Sequence, residues 1–202
     1  MKRLFAGLLV WSFWATLQAQ IFNERFANTT DLSNWVKVSD LGQRRLTHTP
    51  SNLRIQLQPA DPPSEYLLRT KTVFRNPDMT MELRHDGFGR VTVGLWSVRK
   101  GRPFAWIALD TDDTDYLNFG VGNAFTEWKY SGTPHMKKWI KFRIRVAGEK
   151  IVLSAGGKKE VQVVPPQERG DTYFVFLSLT CAKWKSGEND TTVRRVQVKS
   201  QR

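Results

Sequence analysis

The sequence predicts an all-β protein, an antiparallel β-sandwich of two sheets, on three observations. Apolar and polar side chains alternate along four short runs between residues 79 and 121. Turns bearing Gly, Pro, Asn or Asp punctuate the chain at intervals of roughly eight to twelve residues, the spacing of sandwiches and barrels. No segment repeats its apolar residues with a helical period.

In a strand successive side chains point to opposite faces, so the alternation of residues 79–121 sorts into two surfaces. Met79, Met81 and Leu83, then Val91, Val93 and Leu95, then Ala105, Ile107 and Leu109, and last Leu117, Phe119 and Val121 form a core side. The other side takes Glu82, Arg84, Thr92, Trp96, Trp106, Asp110, Tyr116 and Asn118. Rings mixed with a few polar groups suit a sugar, whose C–H faces stack on aromatics while its hydroxyls take hydrogen bonds. Glu82, Arg84, Trp96, Trp106, Tyr116 and Asn118 are therefore the candidate ligand-binding residues, with Trp96 and Trp106 as the stacking platforms.

The other elements follow the same logic. Met1, Lys2 and Arg3 precede an apolar run from Leu4 to Leu17, too short to span a bilayer comfortably, and small Ala19 offers a cleavage point. Residues 1–19 thus read as a signal peptide, 20–202 as one sandwich domain, and the protein as secreted or periplasmic. No later run is long and apolar enough to cross a membrane. Strands are expected around Phe22–Phe26, Trp35–Ser39, Arg44–Thr47, Asn52–Gln58 and Glu65–Val73, the last entered from the Pro-rich turn PADPP. Beyond the central stretch, Thr126–Tyr130 is followed by the amphipathic KWIKFRIRVA, and then by two strands joined at Gly156-Gly157 and ended by Pro165-Pro166. The most apolar run, Tyr173–Trp184, is placed mid-sheet, and Val193, Val196 and Val198 anchor a closing strand.

Charge and cysteine usage narrow the partners. Apart from Lys2 and Arg3 the chain carries 29 Lys and Arg against 19 Asp and Glu, and from Lys137 onward 15 against six. Such a surface could meet an acidic polymer, while as a bare charge excess it speaks first to solubility. Nucleic acid is not among the expected partners. Cys181, the one cysteine, excludes an intramolecular disulfide and sits in an apolar run as a small buried hydrophobe. With only His48, His85 and His135 beside it, a thiolate or His-cluster zinc site is not expected. Asn28 and Asn189 stand in formal N-glycosylation sequons, relevant only in a eukaryotic source.

Phe22, Phe26 and the string Asp31, Leu32, Ser33, Trp35 resemble the entry of concanavalin A-like lectin/glucanase domains. The long apolar strand and short terminal Val-x-Val strand resemble their exit. The resemblance implies a jelly-roll sandwich and a carbohydrate ligand. Its β-glucan-cutting members carry a Glu-x-Asp-x-Glu strand whose alternate carboxylates share one face, and no such strand occurs here. Glu82 instead shares its face with Arg84, a cation that keeps a carboxylate ionised and unsuited to general-acid work. The Glu-Leu-Arg string is also similar to a strand of sandwich-fold alginate lyases, whose Gln-x-His and Tyr-x-Lys-x-Gly companions are missing. The preferred reading is a non-catalytic, lectin-like binder of a polysaccharide. The alternatives are a glycoside hydrolase using Glu82 with Asp110 or Glu127, and a basic adhesion module for acidic polymers. No cofactor is called for; Ca²⁺ at Asp110, Asp112, Asp113 and Asp115 is the weak metal candidate, since the legume lectins of the superfamily hold calcium near their sugar. The spacing matches no EF-hand loop, and Asp and Thr favour solvated turns on their own account.

Overall fold

The computed structural model describes residues 20–26, 32–49, 51–111, 115–130, 137–183, 185 and 187–200. The signal segment, Asp31, His135, Trp184, Asp112, Asp113 and the Asn28 sequon lie outside the described residues. Within them the chain runs as β1 (Gln20–Glu24), β2 (Trp35–Leu41), β3 (Arg44–Thr49), β4 (Asn52–Leu57), β5 (Ser64–Thr70), β6 (Phe74–Arg75), β7 (Asp78–His85) and β8 (Gly89–Ser97). It continues as β9 (Arg102–Thr111), β10 (Asp115–Val121), β11 (Ala124–Tyr130), β12 (Trp139–Ala147), β13 (Lys150–Ala155) and β14 (Lys158–Val163). The helix α1 (Pro166–Arg169), β15 (Thr172–Cys181) and β16 (Asn189–Ser200) complete it.

Two antiparallel sheets form a jelly-roll sandwich. The first has the order β14-β13-β12-β7-β16-β4-β3, with β1 also on β16; the second has β11-β10-β9-β8-β15-β5-β2, with β6 on β15. Every core residue assigned from the 79–121 alternation is buried. Those of β7 meet Phe142 and Ile144 from β12, Val196 and Val198 from β16, and Ile55 from β4. The opposing layer comes from β8, β9, β10 and from Val175, Leu177 and Leu179 of β15. Trp35 joins this core against Phe22 and Phe26, at ring-centroid distances of 6.3 and 6.2 Å. Cys181 is free and buried, and burial raises its thiol pKa, so apolar contact carries what a disulfide does not.

The chain changes sheet between β7 and β8, through Asp86-Gly87-Phe88. A Cβ on Gly87 would stand 2.2 Å from the Glu188 carbonyl oxygen, and one on Gly89 2.5 Å from that of Thr180, so both backbones pass too close for any side chain. His85, fully buried at the end of β7, ties this crossover down. Its Nε2 donates to the Thr111 hydroxyl (2.7 Å), which in turn donates to the Gly87 carbonyl (2.8 Å). Nδ1 stands 2.8 Å from the Thr191 hydroxyl, whose proton it shares with Oδ1 of Asn189 (2.9 Å). The Asn189 amide donates to the carbonyls of Arg90 and Thr180. Asn189 is wholly buried in this network, which removes it as a glycosylation acceptor.

The two-residue strand β6 escaped the sequence reading, and so did the four-residue helix α1. It opens with Pro166 at its first turn, where the missing N–H costs nothing, and it is too short to display a helical period. It delivers Arg169 into the interior, where the guanidinium donates to the carbonyl oxygens of Gly170 (2.7 Å) and Gly148 and lies 3.3 Å from the Tyr173 hydroxyl. No helix among the described residues is long and apolar enough to cross a membrane.

Two measurements test these packing arguments. Phe142→Ala, at a site with no solvent exposure, should cost about 3–5 kcal/mol in urea unfolding; a loss under ~1 kcal/mol would contradict the packing. Burial lowers the His85 pKa from 6.5 to about 4. Below the ordinary value the unfolded chain takes up a proton that the folded chain refuses, so stability falls as pH falls through that window, by at most ~1.4 kcal/mol per unit. His85→Gln should flatten that acid slope in urea midpoints taken from about pH 4 to 7; an unchanged slope would assign it to other groups.

Candidate functional site

The outer face of the second sheet is ordered in rows by its pairing register. One row crosses from β10 to β2 through Gly120, Trp106, Gly94, Phe176, Arg69 and Val36. The next carries Asn118, Ala108, Thr92, Ser178, Leu67 and Ser39, and the third Tyr116, Asp110, Arg90, Thr180, Glu65 and Leu41. Aromatic, small polar and charged side chains thus lie in adjacent bands.

The glycines of the first row give its rings room to lie on the sheet. A Cβ on Gly120 would stand 2.1 Å from the Trp106 indole, and one on Gly94 2.5 Å from the Phe176 ring. Glycine inside a strand marks such close approach. The Arg90 guanidinium sits 5.3 Å from the Trp106 centroid, that of Arg69 covers Phe174 at 3.9 Å, and Trp96 meets Phe176 edge-on at 6.2 Å. Between these groups lies a groove of about 210 Å³. Phe176, Thr92 and Ser178 line its middle, Trp106 and Pro103 one flank, Glu65 and Leu67 the other, with Arg90 also on its wall. A second recess of about 350 Å³ shares Arg90 and continues along β8 and β15 to Thr180, Gly89 and Lys185.

The structure divides the six expected ligand residues between opposite sides of the molecule. Trp96, Trp106, Tyr116 and Asn118 do share the outer face of the second sheet, and of these Trp106 lines the groove. Glu82 and Arg84 belong to β7 and project from the outer face of the first sheet. There Glu82 accepts from Arg194 (2.8 Å), and Arg84 pairs with Asp86 (2.5 Å). Alternation reports only inward or outward, and β7 ends at the crossover, so its outward side points away from that of β8. Glu65, Phe176 and Ser178 were missed because β5 and β15 lie far from β8 in sequence, whereas Arg90 stands on β8 itself, outward beside inward Val91, and was left off the outward face. The available signal was the interruption of alternation at Gly94 and Gly120.

The same division separates the carboxylates proposed for cleavage. Glu82 stands a full sandwich away from Asp110 and Glu127, so neither pairing forms a site. On the groove face itself, Asp110 and Glu65 are three strand steps apart, ~14 Å between backbones at ~4.8 Å per step. Each is turned to its own partner, Asp110 to the Lys185 ammonium (3.2 Å) and Glu65 to the Ser39 hydroxyl (2.8 Å). Paired-carboxylate chemistry needs carboxyls ~5–5.5 Å apart for retention or ~6.5–9.5 Å for inversion. Among the described residues no group of three or more His, Cys, Asp or Glu gathers to hold a metal ion, and Asp110 is engaged by a lysine.

No family model matches the sequence, and no curated protein does. Solved structures match its fold over most of the chain. A non-specific endo-β-1,3(4)-glucanase from family GH16, SCLam, aligns with a TM-score of 0.66 at 8% identity, covering 91% of this chain and 92% of that one. The Crh5 transglycosylase gives 0.64 at 11%, covering 91% and 85%, and the Bacillus licheniformis β-glucanase 0.59 at 13%, covering 90% and 98%. The chain therefore has the concanavalin A-like β-sandwich fold.

Gly120→Ala tests the flat seat of Trp106. The added methyl must displace the indole, at a cost of about 1–3 kcal/mol of overpacking and with a shift in tryptophan fluorescence. Unchanged emission and stability would mean that the ring does not rest on the glycine.

Proposed function

We propose that this protein binds a polysaccharide chain along the groove on the outer face of the second sheet. The observation that carries the reading is the Trp106 indole laid over Gly120 and flanked by Phe176, Thr92, Ser178 and Arg90. An apolar surface for pyranose C–H groups stands there beside hydroxyls and charges for sugar hydroxyls. The open groove suits a polymer threading past rather than a small molecule enclosed. The residues assigned are Trp106 and Phe176 for stacking, and Arg90, Thr92, Ser178 and Glu65 for hydrogen bonding, with Trp96 bracing Phe176. Export through the N-terminal segment 1–19 would bring the protein to such a polymer.

A second reading is cleavage of the bound chain, by hydrolysis or transglycosylation. The solved structures support it better than they support a lectin, because matches to this fold include glucanases and a transglycosylase. Its carboxylates would have to come from the groove side, starting from Asp110, and not from Glu82. Binding without cleavage rests on the separate engagement of Asp110 and Glu65.

One paired assay separates the two. Titration with soluble β-glucans of mixed linkage should show saturable binding that weakens about tenfold or more in Trp106→Ala, equivalent to ~1.4 kcal/mol. Reducing-end release should stay at the blank rate. Release that is abolished by Asp110→Asn would establish the enzyme instead, and glucan binding indifferent to Trp106 would remove the groove from both readings.

A further inference from the structure

The outer face of the first sheet takes no part in the groove, and its chemistry is different. Pairing register places Arg195, Glu82 and Lys141 in one row across β16, β7 and β12, and Lys199, Asp78 and Arg145 in another. Between them Gln197, Thr80 and Arg143 continue to Ser154 of β13. The two acids are already taken. Asp78 accepts two bonds from Arg143 (2.8 and 2.6 Å), and Glu82 accepts from Arg194. Among the described residues no carboxylate lies within ion-pair distance of Lys141, Arg145, Arg195 or Lys199.

These groups surround a recess of about 450 Å³. Thr80, Ser154 and Gln197 line it together with Lys141, Arg143 and Lys199, and with Asp78, whose carboxylate is held by Arg143. With its amide oxygen accepting from Arg195 (2.7 Å), Gln197 has N–H donors to offer, so hydroxyls, an amide and ammonium groups make the recess rich in donors. A neighbouring recess of about 700 Å³ on the same face adds Arg25, Asn52 and Arg195.

We propose that this face is a second binding site, for an acidic polysaccharide bearing carboxylate or sulfate groups, with a charged unit seated over Thr80 between Lys141 and Lys199. Lys141, Arg145 and Lys199, with no carboxylate in ion-pair distance among the described residues, supply the charge complementarity, and the hydroxyl and amide donors suit the oxygens of a sugar acid. A single-stranded nucleic acid would want exposed rings for base stacking. The exposed ring here, Trp139, is already covered by the Arg194 guanidinium at 4.3 Å. With the groove on the opposite side, the molecule would hold a neutral and an acidic polymer at once.

Polygalacturonate is the probe. The protein should bind it with an affinity that falls as salt rises, and Lys141→Ala with Lys199→Ala should weaken it at least tenfold. The same variant should keep its circular dichroism spectrum and its affinity for neutral β-glucan. Equal weakening by Lys37→Ala with Lys100→Ala, which lie elsewhere, would reduce the effect to net charge and overturn the site. Tighter binding of single-stranded DNA of matched charge would also overturn it. Loss of glucan binding with polygalacturonate binding intact would sink only the groove, because the two faces share no residue.

Discussion

Burial of two apolar faces against each other is the constraint on which the rest of this structure depends. With one cysteine and so no internal disulfide, the fold rests chiefly on apolar contact, so Met79, Phe142 and Val196 in one sheet must meet Val93, Phe119 and Leu177 in the other. Each strand has period two, so committing one side to the interior leaves the alternate side outward along its whole length. Both outer faces, and hence both candidate binding surfaces, are by-products of the core.

Glycine then shapes the outward surface of the second sheet. Strand interiors normally disfavour it, yet Gly94 and Gly120 each sit beside a ring that occupies the volume their side chains would fill. The result is a low, partly aromatic floor instead of a ridge of standing side chains. The glucanases and the transglycosylase share the architecture at identities that transmit no side chains. What happens on that floor therefore has to be argued from Trp106, Arg90, Asp110 and Glu65 themselves.

Electrostatics separates the two sides. On the groove face Asp110 is neutralised by Lys185, and the arginines Arg69 and Arg90 lie over rings. On the opposite face the cations outnumber the acids available to them, and Asp78 and Glu82 are used up by Arg143 and Arg194. The buried polar groups are handled differently again. His85 is kept neutral by burial and bonded at both ring nitrogens, which lets it stitch the crossover without leaving a charge in the interior.

What the sequence determined by itself was everything governed by local period. The all-β class, the inward assignment of each residue from Met79 to Val121, the amphipathic β12 and the buried Cys181 all follow from alternation and turn chemistry within a few residues. Only tertiary structure decided which outward residues are neighbours. Glu82 and Trp106 are both outward, but the Asp86–Phe88 crossover sends their strands to opposite sheets. Arg90 and Glu65 come together because β15 inserts between β8 and β5 from more than eighty residues downstream. Side-chain direction is a property of the local backbone, whereas adjacency across a sheet is set by long-range strand pairing, to which period-two alternation is blind.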